Sequence, residues 1–159
     1  MKVTDKYVFF WGKNDIYSNF YKKPFFYRGE AISCSEVGFM VEKAYQFGDK
    51  AIAEILFRTK DPDKAKSMGR RVRNYDDAVW NEVRFERMKD VLRVKFKDPM
   101  LRKQLVMTGD RTLVEASPYD TIWGIGMESS HVDAMDETKW RGANLLGKAL
   151  MDIRAEITK

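Results

Sequence analysis

Glu36 and Lys43 stand seven residues apart in a stretch of helical pattern, roughly two turns, so both project from one face with Phe39 and Met40 between them. A carboxylate and an amine on a shared apolar face are either awkward core residues or the working groups of a site. Burial raises a carboxyl pKa and lowers that of an amine, moving both toward use as acid, base or nucleophile near neutrality, whereas a direct ion pair pushes the other way. The spacing leaves that balance open. Glu42 lies off this strip and reads as solvated.

Trp80 begins a second constellation. Arg84 and Arg87 follow it one and two turns on, along the same strip and inside an otherwise apolar sector. They either snorkel to the surface or set cations beside an indole, an arrangement suited to a ring and a phosphate. A third cluster, Asp120-Thr121-Ile122-Trp123-Gly124, comes after Ser117-Pro118. Glycine there lets a ligand approach the backbone and indole supplies a flat wall, although a turn anchored by a buried tryptophan reads equally well. Ser18-Asn19-Phe20 and Gly142-Ala143-Asn144 carry amides that either serve the same pocket or cap helices.

Composition removes several competing chemistries. A single histidine, His131, and a single cysteine, Cys34, argue against a tetrahedral zinc site and an internal disulfide. Neither residue sits in a motif that supports a Ser-His-Asp triad or a Cys-His dyad. There is no Walker loop and no Gly-x-Gly-x-x-Gly, so any chemistry rests on carboxylates, lysines and arginines. The 29 basic and 24 acidic residues leave a net charge of +5, which permits an anionic metabolite or a nucleic acid without demanding either. Met1 to Lys6 leads into no apolar run of signal-peptide or membrane length, so a cytoplasmic location is expected.

The elements that must position these groups are one domain's worth, residues 1–159, with 44% hydrophobic content and no repeat or linker. Tyr7 to Trp11 reads as a strand, and Phe25–Tyr27 and Ala31–Ser33 flank a turn at Arg28-Gly29 as short strands or a hairpin. Ser33 or Ser35 caps a helix to about Phe47, with Gly48 as its stop, and Asp49 caps another to about Arg58. Asp61-Pro62 and Asp98-Pro99 place a capping carboxylate before a proline, predicting helices over about 62–72 and 99–107. Asp76 opens a long helix to about Lys97, and a last helix spans about 143–157. Residues 110–140 read as irregular, with a strand at Thr112–Glu115.

In order and approximate spacing, a set of segments resembles the NADAR, or YbiA-like, family over nearly the whole chain. They begin with Ser18-Asn19-Phe20, Ser35-Glu36-Val37, Glu42-Lys43-Ala44, Gly69-Arg70, Trp80 with Val83, Arg84 and Met88, and Lys95-Phe96. They continue with Thr108-Gly109-Asp110, Leu113-Val114-Glu115, Ser117-Pro118, Asp120, Trp123-Gly124 and Gly142 through Lys148. The resemblance implies a mainly α (α+β) domain, compact and helical with short N-terminal strands, and an N-glycosidase. Known members act on phosphoribosylamino-pyrimidine intermediates of riboflavin synthesis or remove ADP-ribose from guanine bases. Two places depart from the family. Where a polar aromatic or histidine usually follows the helix glutamate, this chain has Val37-Gly38, and its Trp-Gly stretch continues as Ile125-Gly126-Met127. Both bear on the substrate more than on the reaction.

The resemblance therefore implies hydrolysis of a ribosyl C1′–N bond, with Glu36 as the carboxylate near C1′. Lys43 would hold ribose or phosphate, act as acid, or attack C1′, and Asp120 would position water or ribose hydroxyls. Trp80 and Trp123 would stack on the base and Arg70 and Arg84 would take phosphate, with Asn19, Gly124 and Asn144 completing the binding set. No cofactor or metal is expected. The expected partner is a small ribosyl or ADP-ribosyl substrate, free or carried on nucleic acid, and no membrane. Two other classes stay open: a non-catalytic ADP-ribose or nucleotide reader, and a nucleic-acid-binding protein resting on Lys64, Lys66, Arg70, Arg71 and Arg73.

Overall fold

The computed structural model describes residues 1–159. Strands β1 (Lys2–Val3), β2 (Tyr7–Phe10), β3 (Phe25–Tyr27) and β4 (Glu30–Ile32) precede helices α1 (Ser35–Gln46), α2 (Lys50–Arg58), α3 (Pro62–Gly69), α4 (Asp77–Lys95) and α5 (Pro99–Met107). Strand β5 (Thr112–Glu115), a 3-10 turn at Glu137–Lys139 and helix α6 (Leu145–Ile157) follow. The chain is mainly helical with a few short strands, and it gathers into two units: residues 19–97, and residues 1–18 with 98–159.

Local rules account for most helix starts. Asp49 accepts from the Ile52 N–H at 3.2 Å, Asp61 from that of Asp63 at 2.9 Å, Asp76 from that of Val79 at 3.1 Å, and Asp98 from those of Met100 and Leu101 at 3.0 Å. Each such cap is worth about 1 kcal/mol. Helix α3 ends at Gly69, three residues short of the expected 72, because the chain turns at Arg70 and Arg71 and Val72 is buried from the irregular segment that follows. Helix α6 starts at Leu145 instead of 143, because Asn144 has a φ of 53° and cannot belong to it.

In the unit of residues 19–97, α1 packs against α2, α3 and α4, while the β3–β4 hairpin lies on α4 and α2. A Cβ at Gly38 would meet Val91 Cγ1 at 2.9 Å, so the missing side chain is what lets α1 approach α4 this closely. Glu42, read as solvated, is buried. It accepts from the Tyr27 hydroxyl and from Arg28 Nε at 2.8 Å and Nη2 at 3.2 Å, and so ties the hairpin to α1. Its position on the helix gave the wrong answer because its partners come from another element. Burial, and then Glu42 itself, push the Tyr27 phenol well above its ordinary pKa.

In the other unit the sheet runs β1-β2-β5, with β1 antiparallel and β5 parallel to β2, in the register Tyr7 to Thr112 and Phe10 to Glu115. Tyr7, Phe9, Val114, Ala116, Ile125, Met127 and Ala134 form a core that Trp140 covers from the side. Helix α6 packs on β5 and α5 on α6. No helix is long and apolar enough to cross a membrane.

Candidate active site

The N-terminus of α1 places Glu36. Cys34 is its N-cap residue in extended conformation and makes no side-chain cap. Instead the Glu36 N–H donates to the Asn19 carbonyl oxygen at 3.0 Å, so the loop ahead of β3 closes the helix start. The Glu36 residue is only 7% exposed and sits in the first turn, where the helix dipole favours a negative charge. Two neutral groups share this end of the helix. Asn19 donates its amide to Met88 Sδ at 3.4 Å, and its Oδ1, like Ser35 Oγ, is buried with no hydrogen-bond partner. Leaving a buried polar atom unpaired costs about 1–3 kcal/mol. Such a cost is the kind that a fold carries where a ligand is to be met.

Two turns on, Lys43 is half-buried, with Nζ 4.5 Å from the centre of the Tyr75 ring. Desolvation lowers its pKa first and the Arg70 guanidinium adds to that, while Glu36 and Asp77 pull the other way and lose. For this amine, burial and Arg70 outweigh the pull of the two carboxylates, which favours the neutral form relative to an ordinary lysine. Arg70, at the C-terminal end of α3, is itself exposed.

Trp80 is 6% exposed, its ring 5.2 Å from Phe39 and 6.3 Å from Phe47, with Tyr75 edge-on to Phe47 at 5.3 Å. The indole belongs to this aromatic cluster first. Arg84 donates to Asn81 Oδ1 at 2.8 Å, and its charge is felt by the Tyr75 phenol. Arg87 reaches Asp90 and Gln46, both at 3.5 Å, in keeping with the snorkelling alternative. The structure thus brings Glu36, Lys43, Arg70, Trp80 and Arg84 into one unit and adds Tyr75, Phe47 and Asp77, which sequence reading missed. The signal for Tyr75 was its place directly before the Asp76 cap.

The remaining expected residues lie in the other unit. Asp120 Oδ1 accepts from the N–H groups of Ile122 at 2.9 Å and Trp123 at 2.8 Å, and Ser117 Oγ accepts from the Asp120 N–H at 3.2 Å. Trp123 is half-buried. A Cβ on Gly124 would meet the carbonyls of Asp120 and Glu115 at 2.9 Å, so this glycine serves chain packing. Asn144 is 1% exposed; its Oδ1 accepts from the Glu115 N–H at 3.0 Å and its Nδ2 donates to the Leu113 carbonyl at 2.9 Å. Both ends of that amide hold β5, and neither faces outward.

The NADAR domain family model matches residues 9–158. The N-glycosidase R617 of Acanthamoeba polyphaga mimivirus is 40% identical over 165 residues, covering 96% of this chain and 97% of that protein. The riboflavin biosynthesis protein VVA0006 of Vibrio vulnificus is 30% identical over 141 residues, 88% of this chain and 35% of that protein. The NMR structure of the E. coli protein YbiA is similar with a TM-score of 0.77 at 29% identity, over 99% of this chain and 88% of that one. With a family match over nearly its whole length and a relative this similar from end to end, the chain belongs to the NADAR domain family.

Proposed function

We propose that the protein is an N-glycosidase that hydrolyses a ribosyl C1′–N bond, in a phosphoribosylamino-pyrimidine or in ADP-ribosylated guanine. The observation that carries this reading is the pairing on α1 of a buried carboxylate, Glu36, with an amine, Lys43, whose pKa is lowered. Cleavage of such a bond passes through a cation-like state at C1′, and Glu36 is the negative charge that stabilises it. The neutral fraction of Lys43 attacks C1′. The new N–C1′ bond forms as the bond to the base nitrogen breaks, and the base leaves with one of the two protons of the attacking amine. Ring opening, with the remaining N–H proton of the amine passing to the ring oxygen, gives an imine, which water hydrolyses to ribose phosphate or ADP-ribose and the restored amine. Arg70 takes phosphate. Asp120, whose Oδ2 lies outside its turn, and Trp123 keep the hydroxyl-positioning and stacking roles that the family resemblance implies.

The N-glycosidase named among the relatives supports the reaction, and the riboflavin biosynthesis protein supports the pyrimidine substrate. Action on such a metabolite would place the enzyme in the cytoplasm. Incubation with each substrate, with products read by mass, tests the reading: free base plus ribose phosphate from the pyrimidine, or unmodified guanine from the second substrate, is expected. Intact substrate bound by the protein in both cases would instead make it a nucleotide reader.

A further inference from the structure

The positive charge of the chain is unevenly placed. Between Arg58 and Arg73 stand seven lysines and arginines and only two carboxylates, Asp61 and Asp63, a local excess of five that equals that of the whole chain. All seven cations are exposed. Arg73 holds Asp49 at 3.2 Å, whereas Arg58, Lys60, Lys64, Lys66, Arg70 and Arg71 have no ion pair. Like charges gathered without counter-charge repel one another in the folded chain, and an arriving polyanion relieves that repulsion.

The arrangement has a shape as well as a sign. The end of α2, the turn after it and α3 enclose a groove of about 680 Å³, and Arg58, Lys60, Lys64 and Arg71 line it with Asp61 and Asp63. The Asp61 carboxylate is already engaged as the α3 cap. That volume falls within the roughly 300–1,000 Å³ of ligand clefts and gives room for the backbone of a short run of one strand. Met68 is the one apolar residue on its wall, so the face lacks the protruding apolar side chains that enter a bilayer. Arg70, next to Arg71 in the chain, is also near enough to Lys43 for its charge to act on that amine. The cationic track therefore runs from the groove toward the α1 face.

We propose that this groove binds the phosphodiester backbone of a single-stranded nucleic acid through Arg58, Lys60, Lys64 and Arg71. The proposal concerns this face alone and stands whether or not the bound strand carries the bond cleaved on α1.

The test is fluorescence anisotropy of a dye-labelled single-stranded oligonucleotide titrated with the full chain across a range of salt. Four phosphate contacts predict a slope of log affinity against log salt of about −3, at roughly 0.7 per contact. The triple variant Lys60→Ala, Lys64→Ala, Arg71→Ala should bring the slope to about −1 and weaken binding at least tenfold at low salt. Its circular dichroism and melting should match the parent, since all three side chains are exposed. A parent slope near zero, an unchanged slope in the folded variant, or tighter binding to anionic vesicles than to the strand would overturn the proposal. Hydrolysis of a free riboside, read in parallel, separates the two readings. It should survive in the variant, and its absence in a parent that still binds the strand would remove the glycosidase reading and leave this one standing.

Discussion

The α1 face and the Ser117–Asn144 loop both collect polar side chains, and they treat them in opposite ways. In the loop, Ser117 and Asn144, together with one oxygen of Asp120, satisfy backbone groups at ordinary hydrogen-bond distances. Around α1, Asn19 Oδ1 and Ser35 Oγ are buried without partners, and Lys43 is held partly out of water beside another cation. The first pattern is how a fold without regular structure pays its way, since each buried N–H and C=O needs a partner. The second leaves two oxygens unpaired and an amine partly out of water, an arrangement suited to groups that meet a reactant. On the proposed reading the chemistry belongs to α1, and the polar groups of the loop hold the loop's own backbone.

Glu36→Gln breaks the comparison most strongly. It preserves shape while removing the charge, so turnover should fall at least a hundredfold, roughly 2.7 kcal/mol of lost transition-state stabilisation, with melting nearly unchanged. Parent-like rates in the folded variant would remove Glu36 from the chemistry. Asn144→Ala should do the reverse. It strands the Glu115 N–H and the Leu113 carbonyl, so thermal or denaturant unfolding should report a loss of about 2–5 kcal/mol. Stability within about 0.5 kcal/mol of the parent would show that this amide is not structural.

Asp120→Asn is the smaller and sharper test. Asparagine keeps an Oδ1 for the Ile122 and Trp123 N–H groups but turns the other oxygen into a donor. Stability should hold, and turnover should drop about tenfold if Asp120 also positions a ribose hydroxyl, a loss of roughly 1.4 kcal/mol. Full activity would assign Asp120 wholly to the frame.

How far the sequence could be read follows the range of the interaction. The aspartate caps of α2, α3, α4 and α5, and the Gly48 stop, act within four residues and were legible at once. The parallel pairing of β2 with β5 joins Tyr7 to Thr112, and no local pattern encodes it. The site divides in the same way. That Glu36 and Lys43 share a face follows from helix geometry. The burial of Glu42 by Tyr27 and Arg28, and the contest of Arg70 against Asp77 over Lys43, depend on residues brought from other elements. Trp80 was readable both as core and as pocket wall, and its contacts with Phe39 and Phe47 give the core more of it.

The lowered pKa of Lys43 also predicts a direction with pH. Activity that needs the neutral amine should rise as pH climbs through that lowered value, below the usual 10.5. Folding favours the neutral amine, so stability from this group grows over the same window, between the lowered value and 10.5. The most direct test of the α1 pair is the intact-protein mass after borohydride reduction during turnover. An opened ribose fixed to Lys43 as a secondary amine is expected, with Lys43→Arg abolishing both the adduct and most activity, because arginine keeps the charge but cannot form that bond. No adduct on the parent, together with an active Lys43→Arg enzyme, would contradict the account.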